Sequence, residues 1–186
     1  AVPVLPEEFS ARPLDQAQLL GVLLQRTAAT KGNTKVLAHG MGGLGKTIMA
    51  ASIVRREDVR MRFCRVAWIS AGQEPAVVEL LSRAHEDLAG KPILKKMGGT
   101  GSSRREVLAQ AAVGQQWLLV LDDLWSSEHE RLLNFIDPVS SPEARVFATS
   151  RFAKMLSGFV EVPLGLLGEP EAVALLLGTA DVAQPT

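Results

Sequence analysis

The stretch Gly40-Met-Gly-Gly-Leu-Gly-Lys-Thr47 decides the fold predicted for this chain. It fits the pattern G-x-x-x-x-G-K-[ST] at every fixed position. Glycines let a loop curl until several backbone N–H groups converge on one phosphate, where a Cβ would block the approach. Lys46 adds a charge that can reach the β- and γ-phosphates, and the Thr47 hydroxyl is placed to ligate Mg²⁺. We therefore predict a loop that binds the phosphates of ATP or ADP; a glycine-rich turn without a ligand is the alternative.

Strand and helix patterns alternate on both sides of this loop. We expect a helix at 14–27, a short strand at 35–39 before the loop and a helix at 46–56 after it. Further strands are predicted at 65–70, 117–122, 144–148 and 159–162, with helices at about 75–88, 104–113, 128–135 and 169–177. Continuous apolar strands are typical of a parallel sheet that is covered on both faces. The alternation indicates βαβ units, and hence an α/β fold.

Composition narrows the class of protein. The 186 residues include 20 basic and 20 acidic side chains, so no net charge draws the chain to nucleic acid. Cys64 is the only cysteine, which excludes an intrachain disulfide and is compatible with a reducing, cytoplasmic location. No uninterrupted apolar run is long enough to predict a membrane span. Because the chain begins with Ala1, we expect it to be a piece of a longer protein.

Two carboxylates, Asp122 and Asp123, follow the most strand-like segment of the chain. In open parallel sheets, ligands bind at the carboxyl ends of the strands. Asp122 is therefore the candidate for holding Mg²⁺, through a water molecule. Asp123 points elsewhere and is the candidate for orienting or deprotonating an attacking water. An Asp pair can also form a turn or cap a helix, but the phosphate-binding loop upstream favours the metal site.

Arg151 ends the strand predicted at 144–148 and can contact a γ-phosphate, since a guanidinium is always charged and offers a fork of donors. A solvated arginine at a strand end is the alternative. His39 is expected to pack within its strand. Trp68, Trp117 and Trp125 are expected to pack in the core or at strand ends.

Four segments, in this order and spacing, resemble the NB-ARC family. They are the loop 40–47, Arg65-Val-Ala-Trp-Ile-Ser70, Trp117-Leu-Leu-Val-Leu-Asp-Asp-Leu-Trp125 and Arg145-Val-Phe-Ala-Thr-Ser-Arg151. That family is the nucleotide-binding core of plant disease-resistance proteins and animal apoptotic-protease activators, within the STAND class of P-loop ATPases. The resemblance implies a three-layer P-loop NTPase fold, with a five-stranded parallel sheet in the order 2-3-4-1-5 between helices.

The resemblance also implies roles for individual residues. Lys46 and Thr47 correspond to the family's P-loop lysine and metal-ligating hydroxyl, and Asp122 to its metal-coordinating acid. The catalytic set implied is Asp123, Lys46 and Arg151. The nucleotide-binding set implied is Gly40, Met41, Gly42, Gly43, Leu44, Gly45, Lys46, Thr47, Ile48 and Arg12. Ile48 replaces a second threonine of the family and offers only its backbone N–H near the α-phosphate, and Arg12 belongs to a lead-in that frames the nucleotide.

Family members cycle between an ADP-bound resting form and an ATP-bound form that assembles into signalling oligomers, with slow Mg²⁺-dependent hydrolysis as the reset. The resemblance therefore implies ATP or ADP and Mg²⁺ as cofactors. It implies sensor and effector domains of the same longer chain as partners, and a homo-oligomer when ATP is bound. Within the fragment we predict a lead-in and helix at 1–30 and one P-loop domain at 31–186. We do not expect the family's helical and winged-helix subdomains within these residues.

Two other classes of function remain alternatives. A turnover enzyme such as a small-molecule kinase would need an arginine-rich lid and an acceptor pocket, and a transport ATPase would need a Leu-Ser-Gly-Gly-Gln signature. In this chain Leu156-Ser-Gly158 is followed by Phe159. A nucleotide-binding scaffold without hydrolysis is the other alternative, although Lys46 and both carboxylates are present.

Overall fold

The sheet has five parallel strands. A computed structural model of the protein describes residues 2–7, 9, 12–25, 35–89 and 100–179. The strands are β1 (Lys35–His39), β2 (Arg65–Ser70), β3 (Trp117–Leu124), β4 (Arg145–Ser150) and β5 (Val160–Pro163). They pair in the order β2-β3-β4-β1-β5, and every pairing is parallel. The fold class and strand order predicted from the sequence are confirmed.

Helices cover both faces of this sheet. The helices of the described residues are α1 (Pro13–Leu23), α2 (Lys46–Arg55), α3 (Glu57–Arg62), α4 (Val77–Ala89), α5 (Gly101–Ala112), α6 (Ser127–Leu133) and α7 (Glu169–Thr179). One face of the sheet packs against Leu81 of α4, Leu108 of α5 and Leu133 of α6. The other packs against Leu19 of α1 and Ile53 of α2. Two apolar layers on one sheet give the three-layer architecture that the strand pattern predicted.

Three local details differ from the sequence-based expectations. Helix α1 ends at Leu23, earlier than the predicted 27, and residues 26 and 27 lie outside the described part of the chain. The short helix α3 was not expected. Helix α5 begins at Gly101, three residues before the predicted 104, and that glycine packs so close to Val77 that an added Cβ would lie 2.9 Å from the Val77 side chain.

Parallel pairing brings the carboxyl ends of the strands to one edge. The ladder continues past the strands through backbone bonds from Gly40 N to Ser150 O and from Ala71 N to Asp122 O. The loop after β1, the Asp pair of β3 and the arginine after β4 therefore meet there. Within the described residues, no helix is both long and apolar enough to cross a bilayer.

Candidate functional site

The loop between β1 and α2 takes a conformation that requires glycine. Gly43 and Gly45 have φ values of +82° and +78°, which L side chains rarely adopt. A Cβ on Gly40 would lie 2.5 Å from the carbonyl oxygen of Leu164, inside any permitted contact. Gly40, Gly43 and Gly45 are therefore dictated by the path of the backbone.

The Lys46 side chain is folded back into this loop. It is 9% exposed, and its ammonium donates to the carbonyl oxygens of Gly40 at 2.8 Å and Met41 at 2.7 Å. Burial, and next the nearby Arg151 guanidinium, lower the pKa of Lys46, while Asp123 and Asp122 oppose that shift. The two hydrogen bonds hold the ammonium inside the loop. It lies there close to Arg151, Asp122 and Asp123, the charged residues predicted to act with it.

Asp122 is hydrogen-bonded directly to α2, the helix that follows the glycine loop. Its Oδ1 accepts hydrogen bonds from the Thr47 hydroxyl at 2.9 Å and from the Thr149 hydroxyl at 2.7 Å. The carboxylate is 4% exposed, and burial raises its pKa despite the two hydroxyl donors. The structure therefore brings the two residues predicted as metal ligands, Thr47 and Asp122, into contact.

A β-bulge sends Asp123 in a different direction. Leu121 pairs with Ala148 but Leu124 pairs with Ser150, so β3 carries one extra residue against β4. Asp123 takes up the irregularity with a φ of +54°, and its backbone N–H donates to the Thr149 hydroxyl at 2.9 Å. As a result Asp122 is buried, whereas the Asp123 side chain is 38% exposed.

Arg151 reaches the same edge from β4. Its Nε lies 3.9 Å from Asp123 Oδ1, and its guanidinium carbon lies 4.6 Å from the centre of the Trp125 ring. A Cβ added to Gly42 would be 3.5 Å from the guanidinium, so Arg151 stands over the loop. The side chain is 48% exposed and can contact a ligand at the mouth of the site.

These groups surround a polar cavity of about 520 Å³. Its walls are Gly42, Gly43, Gly45, Lys46, Thr47, Ser70, Ala71, Gly72, Asp122, Asp123, Thr149 and Arg151. Ser70, Ala71, Gly72 and Thr149 were missed as site residues by the sequence analysis. The rule that ligands bind at the carboxyl ends of parallel strands would have found them, because they lie at or directly after the carboxyl ends of β2 and β4.

A second, mainly apolar cavity of about 640 Å³ lies on the other side of the loop. Its walls are Pro6, Phe9, Arg12, Gly43, Leu44, Gly45, Ile48, Met49, Leu166, Leu167, Ala172 and Leu175. Arg12 ties the lead-in to two other segments, since its guanidinium donates to the carbonyl of the wall residue Leu44 at 3.0 Å and to that of Gly165, next to the wall residue Leu166, at 2.7 Å. Gly40 and Met41 line neither cavity; they contact Lys46 through their carbonyl oxygens.

The donors present fit Mg²⁺. Within the described ranges, no group of three or more His, Cys, Asp or Glu side chains converges into a metal cage made of protein alone. Mg²⁺ is usually held by one or two protein oxygens and completes its shell with water and phosphate oxygens. One threonine hydroxyl and one buried carboxylate at the floor of the polar cavity meet that requirement.

A comparison with known families identifies this arrangement. The NB-ARC domain family matches residues 17–174 of the chain, which include the loop, both carboxylates and Arg151. The chain belongs to the NB-ARC family. The resemblance drawn from the four sequence segments is thus confirmed.

Relatives of this NB-ARC domain include plant disease-resistance proteins. The protein RPP13 of Arabidopsis thaliana is 32% identical over 161 residues, which cover 80% of this chain and 19% of that protein. The protein RGA2 of Solanum bulbocastanum is 25% identical over 146 residues, covering 77% of this chain and 15% of RGA2. The NB-ARC chain therefore spans less than a fifth of the length of these relatives.

Solved structures share the fold at low sequence identity. The ORC2 protein of Aeropyrum pernix, solved as ADPNP–ADP complexes, has a TM-score of 0.69 at 18% identity, covering 98% of this chain and 55% of its own. The STAND protein of Pyrococcus horikoshii, which has a tetratricopeptide-repeat sensor, has a TM-score of 0.63 at 17% identity. It covers 98% of this chain and 27% of its own. At such identities the likeness concerns the fold alone.

Proposed function

We propose that this NB-ARC domain binds ADP and ATP with Mg²⁺ and serves as the nucleotide switch of a longer signalling protein. The observation that carries the proposal is that one glycine loop separates the two cavities, because Gly43 and Gly45 line both. One cavity is apolar, as a nucleoside requires, and the other holds Lys46, Asp122 and Arg151. A nucleotide with its base and sugar in the first and its phosphates in the second would contact the loop from end to end.

Each side chain has a role in this proposal. Thr47 and Asp122 would hold the metal, which supplies positive charge to the phosphate oxygens when bound. Lys46 would release its two loop carbonyls and contact the β- and γ-phosphates. Asp123 would orient the attacking water and accept its proton, while Arg151 would contact the γ-phosphate. Gly40 and Met41 would shape the loop around Lys46, and the Ile48 N–H would face the α-phosphate.

We propose that the signal given by this switch is the assembly of several copies of the protein. We infer an ADP-bound resting form and an ATP-bound form that associates with other copies, with slow hydrolysis as the reset. The plant relatives support a place in defence signalling, with sensor and effector domains in the rest of the chain. The domain limits proposed are those of the sequence analysis, 1–30 and 31–186, and the location proposed is the cytoplasm.

Calorimetric titration with ADP and ATP in the presence of Mg²⁺ tests nucleotide binding. Lys46→Ala should abolish binding of both nucleotides, because the loop loses its only charged contact to the phosphates. Arg60→Ala, which removes an exposed cation on α3, is the matched control and should bind as the parent does. Undiminished affinity in Lys46→Ala would remove the loop from the site.

Hydrolysis separates the switch from its alternatives. Single-turnover assays should show slow conversion of bound ATP to ADP by the parent protein. Tight binding without any conversion would favour a scaffold, whereas rapid multiple turnover with a phosphoryl acceptor would favour a metabolic enzyme.

A further inference from the structure

Trp125 contacts both residues at the outer end of the polar cavity, although it does not line that cavity itself. Its indole N–H donates to Asp123 Oδ2 at 3.1 Å. The face of its ring lies against the Arg151 guanidinium, with 4.6 Å between the ring centre and the guanidinium carbon. Arg151 and Asp123 in turn approach to 3.9 Å, so the three side chains form a closed set of contacts.

The backbone around Trp125 is fixed on both sides. It directly follows β3, and the Ser150 hydroxyl donates to the carbonyl of Leu124 at 2.8 Å, joining the end of β3 to the end of β4. Ser126 caps the next helix by accepting from the His129 N–H at 3.2 Å. The rings of Trp125 and Phe152 pack in a T-shaped arrangement, with 6.1 Å between ring centres and 70° between ring planes. Trp125 is therefore a rigid support.

Asp123 and Arg151 need such a support, since their side chains are 38% and 48% exposed. Half-exposed side chains of this kind exchange rotamers unless a neighbour holds them. Indole combines one N–H donor with the aromatic face that binds cations best. This chemistry matches the carboxylate and the guanidinium here.

We propose that Trp125 is a positioning residue for the γ-phosphate end of the site. Its N–H orients the Asp123 carboxylate, and its ring face holds Arg151 over the loop. The inference rests on the proposed function, because it assigns Asp123 to hydrolysis and Arg151 to the γ-phosphate. It gives Trp125 a function beyond packing at a strand end.

Two substitutions separate the two contacts. Trp125→Phe keeps a ring face but removes the donor, and Trp125→Leu removes both. For Trp125→Phe we expect single-turnover hydrolysis to fall on the order of tenfold, about the loss of one well-placed contact, while the dissociation constants of Mg²⁺-ATP and Mg²⁺-ADP stay within about twofold. For Trp125→Leu we expect slow hydrolysis and, in addition, a several-fold lower ratio of ATP affinity to ADP affinity than in the parent, because Arg151 loses its support.

Two controls distinguish positioning from general damage. Trp117→Phe changes a tryptophan at the opposite end of the same strand and should alter neither hydrolysis nor the affinity ratio. In an Asp123→Asn background, Trp125→Phe should cause no further loss of hydrolysis, because both changes remove the same effect. An additive loss would mean that Trp125 does not act through Asp123.

A spectroscopic measurement tests the contacts without turnover. The chain has three tryptophans, so its ¹H–¹⁵N spectrum should show three indole N–H signals, and Trp125→Phe identifies the one of interest. Asp123→Asn should move that signal, and so should Arg151→Ala. Hydrolysis by Trp125→Phe at the parent rate, together with a parent-like ATP-to-ADP affinity ratio in Trp125→Leu, would overturn the inference.

The inference and the proposed function fail in different ways. If the parent protein binds nucleotide but never hydrolyses it, the proposed reset is wrong, and the affinity ratio and the indole signal then decide the role of Trp125. If the parent protein binds no nucleotide, both are wrong. If the parent binds and hydrolyses and the Trp125 variants match it, only the inference is wrong.

Discussion

At the scale of single residues, Thr149 organises the edge of the sheet at the candidate site. One hydroxyl donates to the Asp122 carboxylate and accepts from the Asp123 backbone, so it fixes the buried acid and the bulge together. Burial raises the pKa of Asp122, so the charged form of this carboxylate is disfavoured in the folded protein. A carboxylate kept where folding disfavours its charge is typical of a functional site.

Asp122→Asn should therefore stabilise the protein in the absence of Mg²⁺ and nucleotide. Below the pKa of an unfolded aspartate, about 3.9, Asp122 is protonated in both states and the substitution changes little. As pH rises through the raised pKa of the folded state, the parent loses stability relative to the variant, because the folded state is the one that resists ionisation. At pH 7 we therefore expect the melting temperature of the variant to exceed that of the parent.

Thermal unfolding of both proteins between pH 3 and 7 measures this difference. Titration of ATP with and without Mg²⁺ should show in parallel that the variant has lost the benefit of the metal. A variant that is less stable than the parent at pH 7, or a difference that does not change with pH, would contradict the conclusion that burial disfavours the charge of Asp122.

At the scale of elements, the bulge in β3 separates the roles of two adjacent carboxylates. In a regular strand, Asp122 and Asp123 would simply point to opposite faces of the sheet. The extra residue instead keeps Asp122 against Thr47 and turns Asp123 toward Arg151. This arrangement requires a left-handed backbone at Asp123, which is a strained conformation for a residue other than glycine.

Two substitutions at Asp123 measure the free energy of this backbone strain. Asp123→Ala and Asp123→Gly both remove the carboxylate and should slow hydrolysis while sparing nucleotide binding. Glycine accepts a φ of +54° without strain, so Asp123→Gly should be more stable than Asp123→Ala by about 1 kcal/mol in denaturant unfolding. At Glu128, within α6, the same pair of changes should give the opposite order, since alanine favours a helix. Equal stability of the two Asp123 variants would argue against the bulge.

The sequence predicted which elements exist better than how they end. The apolar run at 117–121 and the acids after it were sufficient to predict β3 and the side of the sheet on which the site lies. The bulge was not predictable, because it depends on the Thr149 hydroxyl of a strand distant in sequence. Helix α3 was missed because six residues carry too little periodicity, and the start of α5 because glycine and serine near 101–103 are typical of loops.

At the scale of the whole molecule, the apolar cavity exists because distant parts of the chain meet. The lead-in contributes Phe9 and Arg12, the loop contributes Leu44, and the segment after β5 contributes Leu166. Single-sequence patterns do not predict such meetings, and the nucleoside-sized cavity was absent from the sequence-based expectations. Arg12 was expected to frame the nucleotide, and its hydrogen bonds to the carbonyls of Leu44 and Gly165 show how the lead-in is attached.

Arg12→Ala should weaken ADP and ATP to the same extent. The two ligands share the nucleoside, and loosening of the apolar cavity affects only that part. We expect a loss on the order of tenfold for each, the size of a lost charge-assisted hydrogen bond. Arg55→Ala is the matched control, because Arg55 also donates to a lead-in carbonyl, that of Val2, but lies outside the cavity. A loss confined to ATP would place Arg12 at the phosphates instead.

Unlike Arg12→Ala, removal of Mg²⁺ should weaken the binding of ATP and of ADP to different extents. The protein offers the metal Thr47 and Asp122 on the floor of the polar cavity, and the remaining ligands must come from phosphate and water. ATP can bridge the metal through its β- and γ-phosphates and ADP cannot, so EDTA should weaken ATP by on the order of tenfold and ADP by less. Thr47→Val should abolish the benefit of Mg²⁺ for ATP, whereas Thr47→Ser, which keeps the hydroxyl, should retain it. Equal losses for both nucleotides on calorimetric titration would mean that the metal does not meet the γ-phosphate, and the polar cavity would then distinguish ATP from ADP only through Lys46 and Arg151.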